Sequence, residues 1–175
     1  IWESKKMSKP YVAILLGIMA ISFGSIFAKL SVAPSLIIAA YRLALAVLLM
    51  TPFIVLAKPK EFQKVDKNVL GWTFLSGFFL ALHFATWISS LKYITVSSSV
   101  VLVALQPVFV ALGSWLFLKE PISLRGILTG SIALIGTFII GLGDLSLGRD
   151  ALWGDLLAVI GALFAALYWM VGRVA

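Results

Sequence analysis

From Thr95 to Leu118 the chain carries no charged residue, and Gln106-Pro107 sits near the middle of that run. A helix rises about 1.5 Å per residue, so some 20 apolar residues cross the ~30 Å of hydrocarbon in a bilayer. The stretch is long enough to span. Its proline has no N–H to give the carbonyl of Val103, four residues back. In hydrocarbon that loss is tolerated only where protein, a side chain or cavity water replaces the bond. A second apolar run, Val69–Leu91, comes just before it and carries His83 and Trp87. Only Lys92–Ile94 separate the two runs, so they form an antiparallel hairpin. A kinked span beside one bearing a histidine is what a solute path through a helix bundle needs.

The same pattern extends along the chain. Hydrophobic residues make up 62% of the sequence, against about 45–50% in a soluble domain. The mean hydropathy is +1.10, and the apolar residues come in long blocks rather than alternating with polar ones. The blocks are Tyr11–Leu30, Pro34–Ala57, Val69–Leu91, Thr95–Leu118, Pro121–Gly143 and Ala151–Gly172. The fold class is therefore an all-α membrane protein, a polytopic bundle of six transmembrane helices in contact with the lipid bilayer. The basic start before the first block resembles a signal peptide, but the block is too long for one and more spans follow. Met7 offers a natural start, which places Ile1–Lys6 upstream of it.

Charge and composition exclude several functions. The net charge of +7 would point to nucleic acid in a soluble protein. Here the lysines and arginines lie mostly between apolar blocks, so topology accounts for them and no nucleic acid is implied. One side collects Lys5, Lys6, Lys9, Lys58, Lys60, Lys64, Lys67, Lys119, Arg125 and Arg173; the other has only Lys29, Lys92 and Arg149. This asymmetry puts the N-terminus and the Lys58–Asn68 link in the cytoplasm of a cell-membrane protein. There is no cysteine and a single histidine, so no disulfide or metal site is expected. No P-loop, paired carboxylates or nucleophile motif appears, which leaves no residues for ATP hydrolysis, for catalysis or for holding a cofactor.

Residues three or four apart share a helix face. Ser76, His83, Trp87 and Ser90 fall on or near one stripe of the third span; Ser99, Gln106 and Gly113 align on the fourth; Ser22, Ser25 and Lys29 align on the first. Polar stripes turn toward the bundle interior, because unsatisfied polar groups in lipid cost several kcal/mol. A cavity lined by His83, Trp87, Gln106, Ser90, Tyr41 and Tyr168, with Pro107 as the kink, suits a small amphipathic metabolite such as an amino acid. The alternative is that these groups only bond helices together, in a membrane assembly module.

Arg42 is the sharpest single residue. A permanent charge in a span costs at least ~2.5–3.5 kcal/mol. It lies about 12 Å along the helix from Pro34, so it either attracts an anion at the outer mouth with Lys29 or ties neighbouring helices together. Ser97, Ser98 and Ser99 are placed to cap the fourth span. Glu120 is expected to pair with Arg125, and Pro121 to open the fifth span from its first turn. Gly126 and Gly130 form a Gly-x-x-x-Gly pair for close packing, and Gly17 and Gly24 likewise admit close neighbours. The uncharged cores of the first five spans contain no Asp or Glu, which leaves His83, or residues beyond this chain, for any proton coupling.

Several stretches stand in order along the chain: Ala33-Pro34 with Tyr41-Arg42, Trp87 with Leu91-Lys92-Tyr93, Gln106-Pro107-Val108-Phe109, and Leu116 to Pro121 with Gly126 and Gly130. The last is Gly154-Asp155-Leu156-Leu157-Ala158 with Ala166-Leu167-Tyr168 and Arg173. Together they resemble the EamA family of the drug/metabolite transporter superfamily. The resemblance implies an incomplete inverted-repeat transporter fold: a cytoplasmic tail at 1–10, a first five-helix repeat at 11–143, an extracytoplasmic loop at 144–150, and the first helix of a second repeat at 151–175. At an offset of 144, Gly17 meets Gly161 and Lys29 meets Arg173. The repeat would be completed by four further spans or by a second copy in a homodimer. It also implies a secondary transporter, working as an exporter of small organic metabolites by alternating access.

Overall fold

The computed structural model describes residues 8–57, 66–145 and 148–174. The suggested start at Met7, most of the lysine-rich link and part of the loop before the last span lie outside the described residues. The described elements are all helical: α1 (Ser8–Leu30), α2 (Ser35–Ala57), α3 (Lys67–Ser90), α4 (Val96–Val103), α5 (Gln106–Leu118), α6 (Leu124–Leu145) and α7 (Arg149–Gly172). With α4 and α5 counted as one crossing, six segments are long and apolar enough to span a membrane.

The proline in the fourth crossing divides it into two helices rather than bending one. Beyond Val103 the chain tightens, Leu105 N–H bonding to the Leu102 carbonyl at 3.2 Å. Helix α5 then restarts with Pro107 in its first turn, where a missing N–H costs nothing. Pro34 opens α2 as expected, its carbonyl accepting from Ile37 and Ile38 at 3.0 and 3.1 Å. Pro121 does not open α6. It sits in the extended link before it, and Ser123 caps the helix by accepting from Gly126 N–H at 3.1 Å. The expected Glu120–Arg125 pair is also replaced. Glu120 binds Arg173 at 2.7 and 3.2 Å, joining the α5–α6 link to the end of α7. The carboxylate holds Arg173 above its ordinary value.

Helix α7 is the hub of the bundle, packing mainly on α3 and also touching α4, α5 and α6. Its buried residues are Ala151, Gly154, Ala158, Gly161, Ala162, Ala165 and Ala166. Small side chains at these intervals of three and four make a smooth face on which another backbone can lie closely. At Gly154 an added Cβ would sit 2.7 Å from Tyr93 Cβ and 2.8 Å from Ile94 Cγ2. Helix α6 is the opposite case, with none of its spanning window buried. Large apolar residues such as Phe53, Phe74, Phe117 and Phe138 are exposed, as lipid-facing positions should be.

Many hydroxyls in the spans are satisfied within their own helix. Thr51, Ser89 and Thr137 donate to carbonyls four residues back, at 2.7, 2.7 and 2.9 Å, as a hydroxyl in hydrocarbon must. Polar residues of this kind need no cavity.

Replacing Gly154 with Leu forces Tyr93 and Ile94 apart and is expected to cost about 1–3 kcal/mol by overpacking. Gly136→Leu, at a position with nothing within 4 Å, leaves stability nearly unchanged. Thermal unfolding in detergent compares the two.

Candidate functional site

The α3–α7 pair is joined by two bonds from side chain to backbone. Ser76 Oγ donates to the Tyr168 carbonyl at 3.0 Å, and His83 Nδ1 lies 2.8 Å from the Gly161 carbonyl oxygen. Ser76 to His83 is two helical turns along α3, and Tyr168 back to Gly161 is two turns along α7, so one antiparallel register serves both. A carbonyl only accepts, so Nδ1 carries the hydrogen of the His83 bond. Gly161 has to be small here: an added Cβ would lie 3.1 Å from Thr86 Oγ1 and 3.4 Å from the Trp87 backbone nitrogen.

Two hollows flank this seam. The first, about 930 Å³, lies toward the Lys67 end of α3 and is lined by Thr73, Ser76, Gln106, Pro107, Ser114, Tyr168 and Arg173 among others. The second, about 700 Å³, lies toward the Lys92 end, between α1, α2, α3 and α4. Its lining includes Ser22, Ser25, Arg42, His83, Phe84, Trp87 and Ser97. The single cavity expected from the polar stripes is thus two. Gln106 and Tyr168 line the first with Pro107, whereas His83 and Trp87 line the second.

In the second hollow the aromatic groups are ordered around a cation. The His83 and Trp87 rings are nearly parallel, 7° apart, with centroids 5.9 Å apart. The Arg42 guanidinium lies 5.0 Å from the Phe84 ring centroid and 5.4 Å from that of Trp87, within cation–π range. It rests against α1 at Gly24, where an added Cβ would be 3.2 Å from Nη1. Trp87 is only 7% exposed, and its buried Nε1 has no hydrogen-bond partner among the described residues.

The other candidates occupy different surroundings. Ser90 is fully buried, donating to the Trp87 carbonyl at 2.7 Å and lying 2.7 Å from Ser99 Oγ. Tyr41 is 66% exposed and lines neither hollow. Lys29 Nζ donates to the carbonyls of Leu91 and Ile94, which are free because α3 ends there. Thr95 rather than the serines caps α4, accepting from Ser98 N–H at 3.0 Å. Ser98 Oγ reaches the Thr95 hydroxyl at 2.9 Å, and Ser97 lines the second hollow. Gly130 faces Val108 of α5, whose Cγ2 would be 3.8 Å from an added Cβ, while Gly126 has only Ile122 and Ser123 beside it.

Phe84, Gly24 and Gly161 were not legible as site residues, although the regularly spaced alanines and glycines after Ala151 do signal a close-packed face. Asp144, expected as the first residue of the loop at 144–150, lies within α6 and is only 6% exposed. Its Oδ2 and both Asp155 carboxylate oxygens are buried without hydrogen-bond partners among the described residues. The two carboxyls lie within each other's field. Among the described residues no group of His, Cys, Asp and Glu is arranged to hold a metal.

The sequence profile of the EamA-like transporter family matches residues 8–142. The chain belongs to that family. It is part of the drug/metabolite transporter superfamily, whose EamA members are transporters of small molecules and not enzymes. No curated protein and no solved structure matches the chain. The matched residues stop before α7, although α3, α4, α5 and α6 of the matched stretch pack on it.

Lys29→Met removes the donor from two carbonyls at the α3–α4 turn, at an expected cost of about 1–3 kcal/mol. Amide hydrogen exchange at Lys92–Val96 should quicken while that of mid-α3 is unchanged.

Proposed function

We propose that this protein is a secondary transporter of small organic metabolites, working as an exporter across the cytoplasmic membrane with its N-terminus inside. In this reading the solute passes the His83–Trp87 stack by alternating opening of the two hollows. The observation that carries the reading is the division itself. Two solute-sized cavities lie toward opposite ends of α3, one walled by α3, α5 and α7 and the other by α1 to α4, and His83 in the second is the residue that bonds α3 to Gly161 of α7.

The chemistry of the seam suits a gate. One imidazole–carbonyl bond and one ring stack can be broken and remade without unfolding either helix, whose own backbone bonds stay intact. The break between α4 and α5 supplies the second moving part. Pro107 uncouples α5, which lines the first hollow, from α4, which lines the second, so each half can tilt separately. Gln106 and Tyr168 then meet the solute on the cytoplasmic side, and His83 and Trp87 on the outer side. Arg42 draws anions to the outer hollow, while Lys29, Ser90 and the Gly130 contact keep the helices in register.

Flux of candidate metabolites through proteoliposomes tests the assignment, with both directions measured. His83→Ala and Trp87→Ala should each lower flux at least tenfold while the protein stays monodisperse. Parent-like flux in both variants removes these residues from the path and leaves helix bonding as their role.

Because the chain lacks cysteine, single thiols report access directly. Thr73→Cys should react with a membrane-impermeant maleimide from the cytoplasmic face, and Ser97→Cys from the opposite face. Addition of a transported solute should change the two rates in opposite senses. Labelling of both positions from the same face contradicts alternating access across this seam.

A further inference from the structure

The second hollow has a composition that restricts its occupant. Its walls are mostly apolar, with Ile21, Ile26, Val100 and Val103 beside Ser22, Ser25 and Ser97, and among the described residues its one permanent charge is Arg42. No acidic residue among the described ones lines it, and no carboxylate among them pairs with Arg42; the described ion pair elsewhere is Glu120–Arg173. A guanidinium carries five N–H donors and no acceptor. The Phe84 and Trp87 ring faces partly offset its charge, but they leave those donors without an oxygen.

Trp87 provides a second, independent sign. Its indole N–H can only donate, it belongs to a side chain 7% exposed, and it has no acceptor among the described residues. A buried donor left unmade is costly; the nitrogen is enclosed in this structure, so a turn of the ring that brings its N–H to an acceptor in the hollow is favoured, and the same acceptor serves Arg42. Donors of two kinds thus await acceptor oxygens in an apolar chamber. Gly24 leaves the guanidinium its place against α1.

We propose that this hollow is a carboxylate site, holding an amphipathic organic acid by its carboxylate on Arg42 and the Trp87 N–H, with the apolar tail against α1 and α4. Resting on the transport reading above, this names the solute class: a small monoanion, not an amine. An ammonium group would meet a guanidinium and no counter-charge in the hollow. A carboxylate accepts the two parallel N–H bonds that the guanidinium fork offers. The cavity of about 700 Å³ has ample room for an acid the size of phenylacetate.

The test is binding rather than flux, so that it can fail while transport stands. Purified protein in phosphatidylcholine nanodiscs is titrated with phenylacetate, phenylacetamide and 2-phenylethylammonium, followed by calorimetry. Phenylacetate should bind at least tenfold more tightly than either of the others, a comparison that needs no variant. Arg42→Gln should abolish the preference for acid over amide and Arg42→Lys should retain part of it. Trp87→Phe, which keeps a ring but loses the N–H, should weaken phenylacetate severalfold while leaving phenylacetamide nearly unchanged. Equal binding of acid and amide by the parent, or no binding of the acid, overturns the proposal, as does an undiminished preference in a folded Arg42→Gln protein. Repeating the titration with phosphatidylglycerol in the nanodiscs separates a soluble acid from a lipid headgroup phosphate. Unchanged affinity supports the proposal, and loss of phenylacetate binding assigns Arg42 to the lipid instead.

Discussion

In hydrocarbon, two helices gain nothing from hiding apolar side chains from water, since lipid tails are just as apolar. What holds α3 to α7 is close backbone approach and the few polar bonds such approach allows. The glycines and alanines of α7 bring its backbone within reach of side chains on α3, so Ser76 and His83 can bond to backbone carbonyls across the interface. The rest of the structure depends on this seam. Helices α4, α5 and α6 pack against α7, and both hollows have α3 in their walls.

That dependence explains how rigidity and solute access coexist in one small bundle. The seam is built from small residues on α7, and the second hollow opens away from it, between α1, α2, α3 and α4. The Arg42 guanidinium occupies part of that space, held by ring faces rather than by a carboxylate. A cation paired with an acid would be a permanent internal tie. One held only by π systems remains available to an incoming anion.

Serine and threonine illustrate why polar stripes on membrane helices overstate cavities. Ser89 and Thr137 each donate to a carbonyl of their own helix and line neither hollow, and Ser22 donates in the same way although it lines the second. Ser90 goes further, making a buried cluster with Ser99 and the Trp87 carbonyl that locks the α3–α4 hairpin. A hydroxyl has a local partner in every helix, but His83, Arg42 and the indole of Trp87 do not. Only the larger polar groups therefore mark places where helices must supply something to one another or to a solute.

What the amino-acid order determined by itself was the class of fold and the family. Block length against bilayer thickness yields six crossings, the short Lys92–Ile94 turn makes the hairpin, and the ordered family stretches stand in the chain regardless of packing. A disturbance at position 107 was equally legible, because a missing N–H is a property of proline alone, but it was read as a kink where the structure has two helices. The tertiary structure decided which polar residues share a space. Spacing along one helix places His83 and Trp87 on a common face but says nothing of Phe84 and Gly24 meeting Arg42, or of Glu120 choosing Arg173 over Arg125. Those pairings depend on how far apart the helix axes lie and how they are rotated, and these are set by contacts between residues distant in sequence.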